Sequence, residues 1–156
     1  MSPDLDRRLC ERYPLVFRYR VLDRSEHSMG RGFDCGDGWY ALVDTACAVV
    51  SAHYESARRE YERTLKAGEG ATTVERARTK MEEEAGRVPA ALQVKEKLGS
   101  LRIYFEGGGE RARAASEFAQ ILSESVCELC ARPGALLRRG GRLRTLCGTC
   151  CDAELD

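Results

Sequence analysis

Four cysteines near the C-terminal end of the chain have the spacing of a metal site. Cys127 and Cys130 enclose two residues, Cys147 and Cys150 enclose two more, and sixteen residues lie between the pairs. Paired cysteines at this spacing turn both sulfurs toward one ion, and two pairs together make a tetrahedral thiolate site for Zn²⁺. Four thiolates leave the ion no open coordination position, so the sequence predicts a structural zinc ion with no catalytic role.

The remaining cysteines set the alternatives to this site. Cys151 follows Cys150 directly, and a shift of the register by one residue would make Cys151 the fourth ligand instead. Eight cysteines also permit disulfides, but the first residues lack the segments of a signal peptide, and no apolar run is long enough to span a membrane. Paired cysteines in a reducing compartment favour a metal. We therefore expect a cytoplasmic protein in which Cys10, Cys35 and Cys47 are reduced, buried thiols.

The residues between the two cysteine pairs predict a hairpin. A Pro-Gly turn signal at 133–134 follows the first pair, and two short strands within residues 135–146 flank a Gly-Gly pair. Residues 150–155 can form one helical turn. If each cysteine pair is called a knuckle, the order of knuckle, hairpin, knuckle and short helix is that of a zinc ribbon or treble clef. We therefore expect a zinc-binding module over residues 127–156.

Charge is balanced over the whole chain but not within this module. The chain has 25 basic and 25 acidic residues, so it has no bulk attraction to nucleic acid or to an anionic membrane. Residues 127–151 contain a single acid, Glu128, and five arginines: Arg132, Arg138, Arg139, Arg142 and Arg144. The module stays positive with the thiolate–zinc cluster counted as about −2, so its hairpin is a candidate phosphate-contact surface. The alternative is that these arginines solubilise the module or pair with acids elsewhere on the chain.

The preceding residues, 1–126, predict an α+β body in which helices pack on a small antiparallel sheet. Pro3 stands at the first position of a helix that carries apolar residues at four-residue spacing. Residues 15–22 alternate loosely between apolar and polar types and are a candidate strand. The predicted fold class is therefore α+β, with the zinc module at the C-terminal end.

A helical hairpin is predicted over about residues 38–86. Its long first helix begins near Asp37, which is well placed to cap it, and Trp39 is the expected core anchor. A Gly-Glu-Gly break ends this helix. Thr72 and Glu75 then have the spacing of a capping box that opens the second helix.

A β-hairpin is predicted over about residues 91–106, because two alternating apolar runs flank a glycine-containing loop of four residues, 97–100. Arg102 and Tyr104 share its outer face with Lys95, and the three are candidate contacts for nucleic acid or a protein partner. A helix over about residues 110–125 follows and leads to the first knuckle. Its expected buried stripe is Ala115, Phe118, Ala119, Leu122 and Val126.

Three sequence blocks together resemble a family of small proteins found in tailed phages, prophages and bacterial genomes. The blocks are residues 32–40 (GFDCGDGWY), residues 93–104 (QVKEKLGSLRIY) and the knuckle segments 127–130 (CELC) and 143–147 (LRTLC). The similarity covers most of the chain except the charged helical segment 51–88. Family members often carry histidine at the position of Cys150, which is also a metal ligand. The resemblance implies a cytosolic accessory protein of phage or mobile-element type, and it implies no particular activity.

Catalysis is the less favoured interpretation of the sequence. Asp34 and Asp37 can hold Mg²⁺ for phosphate hydrolysis, but Asp37 is equally placed to cap a helix, with Gly36 and Gly38 supplying turn geometry around it. His53 lies near the buried stripe of its helix and is expected to be partly buried.

The favoured interpretation is therefore a zinc-stabilised binding module that contacts a protein partner, in keeping with the balanced net charge. The first alternative is a nucleic-acid-binding zinc protein that uses the basic C-terminal hairpin. The second is a metal-dependent phosphate hydrolase built on Asp34 and Asp37.

Overall fold

Helices and short strands alternate along the chain. In the part that the computed structural model describes (residues 1–23, 25 and 27–153, with only the backbone of Arg139), five α-helices and two separate antiparallel strand pairs occur. The elements are α1 (Pro3–Arg12), α2 (Tyr40–Lys66), α3 (Ala71–Arg87), β1 (Ala90–Lys97), β2 (Ser100–Glu106), α4 (Gly109–Ser123), β3 (Ala135–Arg139), β4 (Arg142–Leu146) and α5 (Gly148–Ala153). Short 3₁₀ turns at Arg18–Val21, Ser28–Arg31 and Asp37–Trp39 join α1 to α2. The expected α+β fold is confirmed, and none of the described helices is both long and apolar enough to cross a membrane. The division into domains at residue 127 stays a prediction.

The hydrophobic core lies between α1, α2, α4 and the β1–β2 hairpin. Trp39 is fully buried, and its Nε1 donates to the carbonyl oxygen of Val126 at 2.8 Å, so the expected core anchor is confirmed. Leu9, Val43 and Val94 are also fully buried in the same cluster. Each fully buried aliphatic side chain contributes about 1.5–3 kcal/mol, so burial of apolar surface is a main source of stability in this part of the molecule.

The β1–β2 hairpin closes through a two-residue turn. Leu98 and Gly99 have φ values of 56° and 80°, and two left-handed residues in succession make a turn whose twist matches that of the strands. The pairing sets Lys97 opposite Ser100. The predicted four-residue loop is therefore shorter in the structure, because both strands extend farther than the apolar pattern indicated.

Both outer edges of this hairpin are covered. On the β2 side, the Ser123 hydroxyl accepts the backbone N–H of Leu101 at 2.8 Å, and the Ser116 hydroxyl donates to the carbonyl oxygen of Ile103 at 2.5 Å. On the β1 side, the backbone of Asp34 makes two hydrogen bonds to the strand, at 3.0 and 2.6 Å. Contacts of this kind shield parts of an edge from pairing with another chain.

The candidate strand at residues 15–22 is wrong. This segment is a turn followed by a 3₁₀ helix. Val16 and Phe17 are consecutive and both buried, whereas a strand would send neighbouring side chains to opposite faces. The segment is fixed instead by Arg20, whose Nη2 donates to the Asp6 carboxylate at 2.9 Å.

The two predicted helix caps are also wrong. Asp37 lies in the 3₁₀ turn before α2, where its Oδ1 accepts the backbone N–H of Ser2 at 2.5 Å. Thr72 lies inside α3 and makes no cap, and Glu75 forms an ion pair with Arg78 at 2.7 Å. In both cases a side chain that satisfies a local capping pattern has found a different partner.

The predicted buried stripe of α4 is wrong at two positions, since Phe118 and Leu122 are exposed. The buried side of the helix carries small residues: Ala112, Ala115, Ala119 and Ser123. Small side chains allow α4 to lie close enough to β2 for its serine hydroxyls to reach the strand edge. The large apolar side chains of α4 therefore face outward.

Candidate metal centre

Four sulfur atoms converge beside the β3–β4 hairpin. The Sγ atoms of Cys127, Cys130, Cys147 and Cys150 all lie within 4.8 Å of one another, and those of Cys130 and Cys147 are 3.5 Å apart. Four sulfurs bound to one zinc ion at about 2.3 Å in a tetrahedron would lie about 3.8 Å apart. The cluster therefore has the size and the donor set of a four-thiolate metal site. No other group of three or more potential ligands occurs among the described residues.

Arg132 forms a hydrogen bond with one of the four cysteines. Its Nε donates to Cys130 Sγ at 3.3 Å, and this bond lowers the pKa of the Cys130 thiol to about 6. Cys130 therefore offers a thiolate near neutral pH, which is the form that binds a metal. Hydrogen bonding to the other sulfurs, first of all Cys130, raises the pKa of Cys150 to about 12, so metal binding would have to release that proton.

The first knuckle is closed by its own backbone. The N–H of Cys127 donates to the carbonyl oxygen of Arg132 at 2.8 Å, and the N–H of Ala131 donates to that of Cys127 at 3.0 Å. The turn requires a left-handed residue, and Ala131 supplies it at a φ of 63°. This conformation costs a residue with a Cβ about 1–2 kcal/mol, so glycine would adopt it with less strain.

The second knuckle brings Cys150 into the cluster by a helical turn. The backbone N–H of Cys151 donates to the carbonyl oxygen of Cys147 at 2.9 Å, and this bond belongs to the first turn of α5. Cys151 packs beside the cluster without being one of the four converging residues. Of the two alternatives for the fourth ligand, the geometry favours Cys150.

The β3–β4 hairpin owes little to a core of its own. Among its residues with described side chains, only Thr145 and Leu146 are buried. Leu146 and the half-buried Leu137 pack directly against the cysteines of the cluster. A single two-stranded hairpin is marginally stable at best in water, so a metal in the cluster is the natural source of its stability.

Glu128 joins the cluster to the body. Its carboxylate is buried, with Oε1 accepting the N–H of Gly36 at 3.1 Å and Oε2 accepting Nη2 of Arg144 at 3.2 Å. Its carbonyl oxygen accepts the N–H of Gly38 at 2.7 Å. A buried carboxylate is tolerated because both oxygens are bonded and one partner is a cation. The sequence showed Glu128 only as the single acid of residues 127–151. Its position between the two cysteines of the first knuckle was the feature that could have indicated its structural role.

Gly36 and Gly38 lie flush against the first knuckle. A Cβ at Gly38 would overlap the carbonyl oxygen of Cys127 and lie 2.6 Å from the nitrogen of Ala131, and a Cβ at Gly36 would overlap the carbonyl oxygen of Glu128. Neither glycine has a positive φ. Both glycines belong to the 3₁₀ turn around Asp37, as expected, but no positive φ requires glycine there. They are small because two backbones meet at these positions.

The tip of the β1–β2 hairpin makes the second contact with the module. The Thr145 hydroxyl, which is buried, donates to the carbonyl oxygen of Gly99 at 2.6 Å. The three sequence blocks thus meet in space, the first through Gly38, the second through Gly99, and the third through Glu128 and Thr145. They build the junction between the metal cluster and the body.

The arginines of the module have different partners, although Arg138, Arg142 and Arg144 all line one open cleft. Arg132 bonds Cys130, and Arg144 pairs with Glu128. Arg138 lies opposite Leu143 in the hairpin register, so it is on the other face from Arg144. Arg138 and Arg142 line an open cleft of about 550 Å³ between the module and the body. The side chain of Arg139 lies outside the described residues.

The predicted binding residues of the first hairpin lie together on its outer face. Lys95 is directly opposite Arg102, and Lys95 Nζ lies 5.5 Å from the ring centroid of Tyr104. Tyr104 is exposed, whereas Nη1 of Arg102 is buried without a hydrogen-bond partner among the described residues. Tyr104 thus packs against a cation within its own hairpin.

The remaining candidates occupy separate places. Asp34 is exposed and bonds β1 through its backbone, while Asp37 holds the start of α1. His53 was expected to be partly buried, which is wrong, since it is exposed between Glu84 and Arg111. It sits at the rim of the body because the apolar stripe of α2 passes beside it through Val50.

No disulfide joins any of the described cysteines. The predicted burial is confirmed for Cys35 and Cys47 and is wrong for Cys10, which is half-buried. Desolvation raises the pKa of Cys10 and of Cys35 to about 12 and that of Cys47 well above its usual value. These thiols are therefore inert packing groups at neutral pH.

No protein-family model, no curated protein and no solved structure matches the chain.

Proposed function

We propose that this chain is a zinc-stabilised binding protein that acts through protein–protein contacts. The single observation that carries the metal assignment is the convergence of four sulfurs within 4.8 Å. A tetrahedral set of four sulfurs is typical of zinc or of an iron–sulfur cluster, and two short knuckles on a hairpin are typical of zinc. Cys127, Cys130, Cys147 and Cys150 would hold the ion, whose role is to fix the module onto the body.

The contact surface of this proposal is the outer face of α2 and α4. We call Leu42, Thr45, Val49, Phe118, Ile121 and Leu122 the α2/α4 face. A shallow groove of about 290 Å³ runs between the two helices there. Phe118 and Ile121 expose 63% and 64% of their surface, Val49 exposes 43% and Leu122 exposes 37%. Large exposed apolar side chains grouped in this way are often functional and can mark an interaction site.

The cellular setting of the proposal rests on the sequence resemblance and on the thiols. Buried reduced cysteines and a four-thiolate site suit a reducing compartment. We place the protein in the cytoplasm of a bacterial host, as an accessory protein of phage type.

Metal content and nucleic-acid binding, measured on one purified sample, test this proposal. We expect one zinc ion per chain and no retention of duplex or single-stranded DNA or RNA at moderate salt. A chain without zinc would contradict the metal assignment. Salt-sensitive binding that disappears in Arg138→Ala and Arg142→Ala would contradict the protein-contact assignment.

That second outcome would instead support the nucleic-acid alternative. The observation in its favour is that Arg138 and Arg142 line the cleft between module and body and form no ion pair with any residue that the structure describes. The hydrolase alternative has weaker support, because Asp34 and Asp37 belong to no group of potential metal ligands among the described residues.

A further inference from the structure

We infer that Cys130 is a modification site for two-electron oxidants such as hydrogen peroxide, and that its oxidation ends in a disulfide with Cys147. The inference rests on the proposed function, because both side chains belong to the metal site proposed above. Three observations carry it: the exposure of Cys130, the positive side chain bonded to its sulfur, and the short distance from this sulfur to that of Cys147.

The four-cysteine cluster is open to solvent on one side. Cys127 is fully buried and Cys147 exposes only 8% of its surface, since both pack with Leu146 in one small apolar cluster. Cys130 stands beside the turn at Ala131 and is the one exposed cysteine among the eight, all of which the structure describes. Because access decides which cysteine an oxidant attacks, Cys130 is the first to react.

The sulfur of Cys130 has a cation as its neighbour. Nε of Arg132 donates to Cys130 Sγ at 3.3 Å. Glu128, the one acid within residues 127–151, has its carboxylate oxygens bonded to Gly36 and to Arg144. Exposed cysteines in positive surroundings are the ones that oxidise selectively in proteins. The surroundings of Cys130 therefore favour the same site as its exposure does.

Cys147 is placed to react with the oxidised sulfur. The Sγ atoms of Cys130 and Cys147 are 3.5 Å apart, so an approach of about 1.5 Å brings them to the length of a disulfide bond. Rotation of the exposed Cys130 side chain can supply this movement. Cys147 itself is held in place, because it follows the buried Leu146 and its carbonyl oxygen accepts the N–H of Cys151 at 2.9 Å.

The oxidation takes place in two substitutions. The thiolate of Cys130 attacks one oxygen of hydrogen peroxide, the O–O bond breaks, and hydroxide leaves from a cysteine that is now a sulfenic acid. The thiolate of Cys147 then attacks Cys130 Sγ, the S–S bond forms, and the S–O bond breaks with loss of a second hydroxide. Two protons from solvent convert the two hydroxides to water. Two thiolates have thus lost two electrons, and one peroxide has been reduced to two waters.

The disulfide takes one ligand from each knuckle. The sulfurs that remain, those of Cys127 and Cys150, are too few for a structural zinc site, so loss of the metal accompanies formation of the disulfide. The new bond joins the same two knuckles, which keeps the base of the β3–β4 hairpin closed. Reduction of the disulfide by a thiol then restores the complete set of ligands.

The test treats the zinc-loaded full chain with hydrogen peroxide under native conditions. A chromogenic chelator measures released zinc, and a thiol reagent counts the thiols that remain of the original eight. We expect one zinc released for every two thiols lost, and recovery of zinc binding after reduction. Peptide mass spectrometry should find Cys130 linked to Cys147. With dimedone present from the start, Cys130 should be labelled at least about tenfold more than any other cysteine, because access decides the attack.

Cys151→Ser is the matched control, since Cys151 packs beside the cluster without being one of the four converging residues. This variant should lose zinc to peroxide at an unchanged rate and form the same disulfide. A link from Cys130 to Cys150 or Cys151, equal dimedone labelling of several cysteines, or loss of zinc without a disulfide would overturn the inference.

The zinc measurement also separates failure of this inference from failure of the proposed function. Zinc that stays bound while peroxide is consumed overturns the inference alone and leaves the metal site of the proposed function intact. A chain purified under reducing conditions that contains no zinc overturns both.

Discussion

The two hairpins of this protein have the same topology but are stabilised in opposite ways. β1–β2 buries Val94, Leu101 and Ile103 in the main core, and both of its edges are covered. β3–β4 buries only its last two residues, Thr145 and Leu146, among those with described side chains. The first hairpin is held by apolar burial, and the second is held by the cysteines at its ends.

This difference shows why the chain concentrates metal ligands in its last thirty residues. A segment of that size cannot bury enough apolar surface to offset its conformational entropy. A metal bound by the four sulfurs would replace that missing core, and the body contributes a flat glycine surface on which the first knuckle rests. In the function proposed above, the metal would attach the small module to the body, and the contact surface would lie elsewhere, on helices α2 and α4.

Loss of one metal ligand should produce the largest difference in stability between the two hairpins. Cys147→Ser is expected to abolish stoichiometric zinc binding, because structural zinc sites contribute about 10–16 kcal/mol in small modules and depend on every ligand. Hydrogen–deuterium exchange should show loss of protection in β3–β4 and retained protection in β1–β2. Cys151→Ser is the control and should keep its zinc. One zinc per chain in Cys147→Ser would contradict the site. Loss of zinc from Cys151→Ser would identify Cys151 as the fourth ligand in place of Cys150.

A single methyl group at the junction should have the next largest effect. Gly38→Ala inserts a Cβ against the backbone of the first knuckle, and overpacking of this kind costs about 1–3 kcal/mol. We expect a lower midpoint of urea unfolding and faster exchange in β3–β4, with zinc retained.

Gly86→Ala is its matched control. Gly86 lies in α3 with no atom close to the added methyl group, so alanine there should be neutral or stabilise by roughly 0.5–1 kcal/mol through helix propensity. If Gly38→Ala behaves like Gly86→Ala, the flush contact between knuckle and body is not needed.

Removal of one hydroxyl should weaken only the first hairpin. Ser123→Ala leaves the buried backbone N–H of Leu101 without its acceptor, which should lower the free energy of unfolding by about 2 kcal/mol. Ser125→Ala removes an exposed hydroxyl just beyond α4. This substitution should change the free energy of unfolding by less than about 0.5 kcal/mol. Equal losses, measured by urea unfolding, would show that the covered edge of β2 contributes nothing.

The smallest expected effect is a gain in stability at the turn of the first knuckle. Ala131→Gly removes the strain of a left-handed alanine, and we expect a gain of about 1 kcal/mol. The readout is the zinc affinity in competition with a chromogenic chelator, which should rise up to about fivefold. An unchanged or lower affinity would mean that the turn does not limit metal binding.

Local patterns in the sequence were reliable where one segment carries the whole signal. The cysteine spacing predicted four sulfurs that the structure brings together, and the Gly-Gly pair predicted the turn between β3 and β4. The same kind of signal failed where a partner from elsewhere competes. Asp37 fits a helix cap but accepts a bond from Ser2, 35 positions away. The capping box of Thr72 and Glu75 failed for a different reason, since α3 already begins at Ala71.

The helix α4 shows what periodicity leaves undecided. Its sequence carries apolar residues around much of its circumference, and the large ones were expected inside. Only the position of β2 determines that alanines and serines face inward, because the strand edge needs hydroxyl partners and a close approach. Phe118 and Ile121 are then exposed, so the surface proposed for binding follows from the orientation of α4 against β2.

The sequence by itself determined the fold class, the long helices, the two hairpins and the four-cysteine set, because each depends on residues that are close along the chain. The tertiary structure alone decided the role of Glu128, the meaning of Gly36 and Gly38, and which face of α4 is exposed. Each of these depends on contacts between segments far apart in sequence, such as the 92 positions between Gly36 and Glu128. No local propensity encodes such a contact, since its energy exists only when both segments are in place.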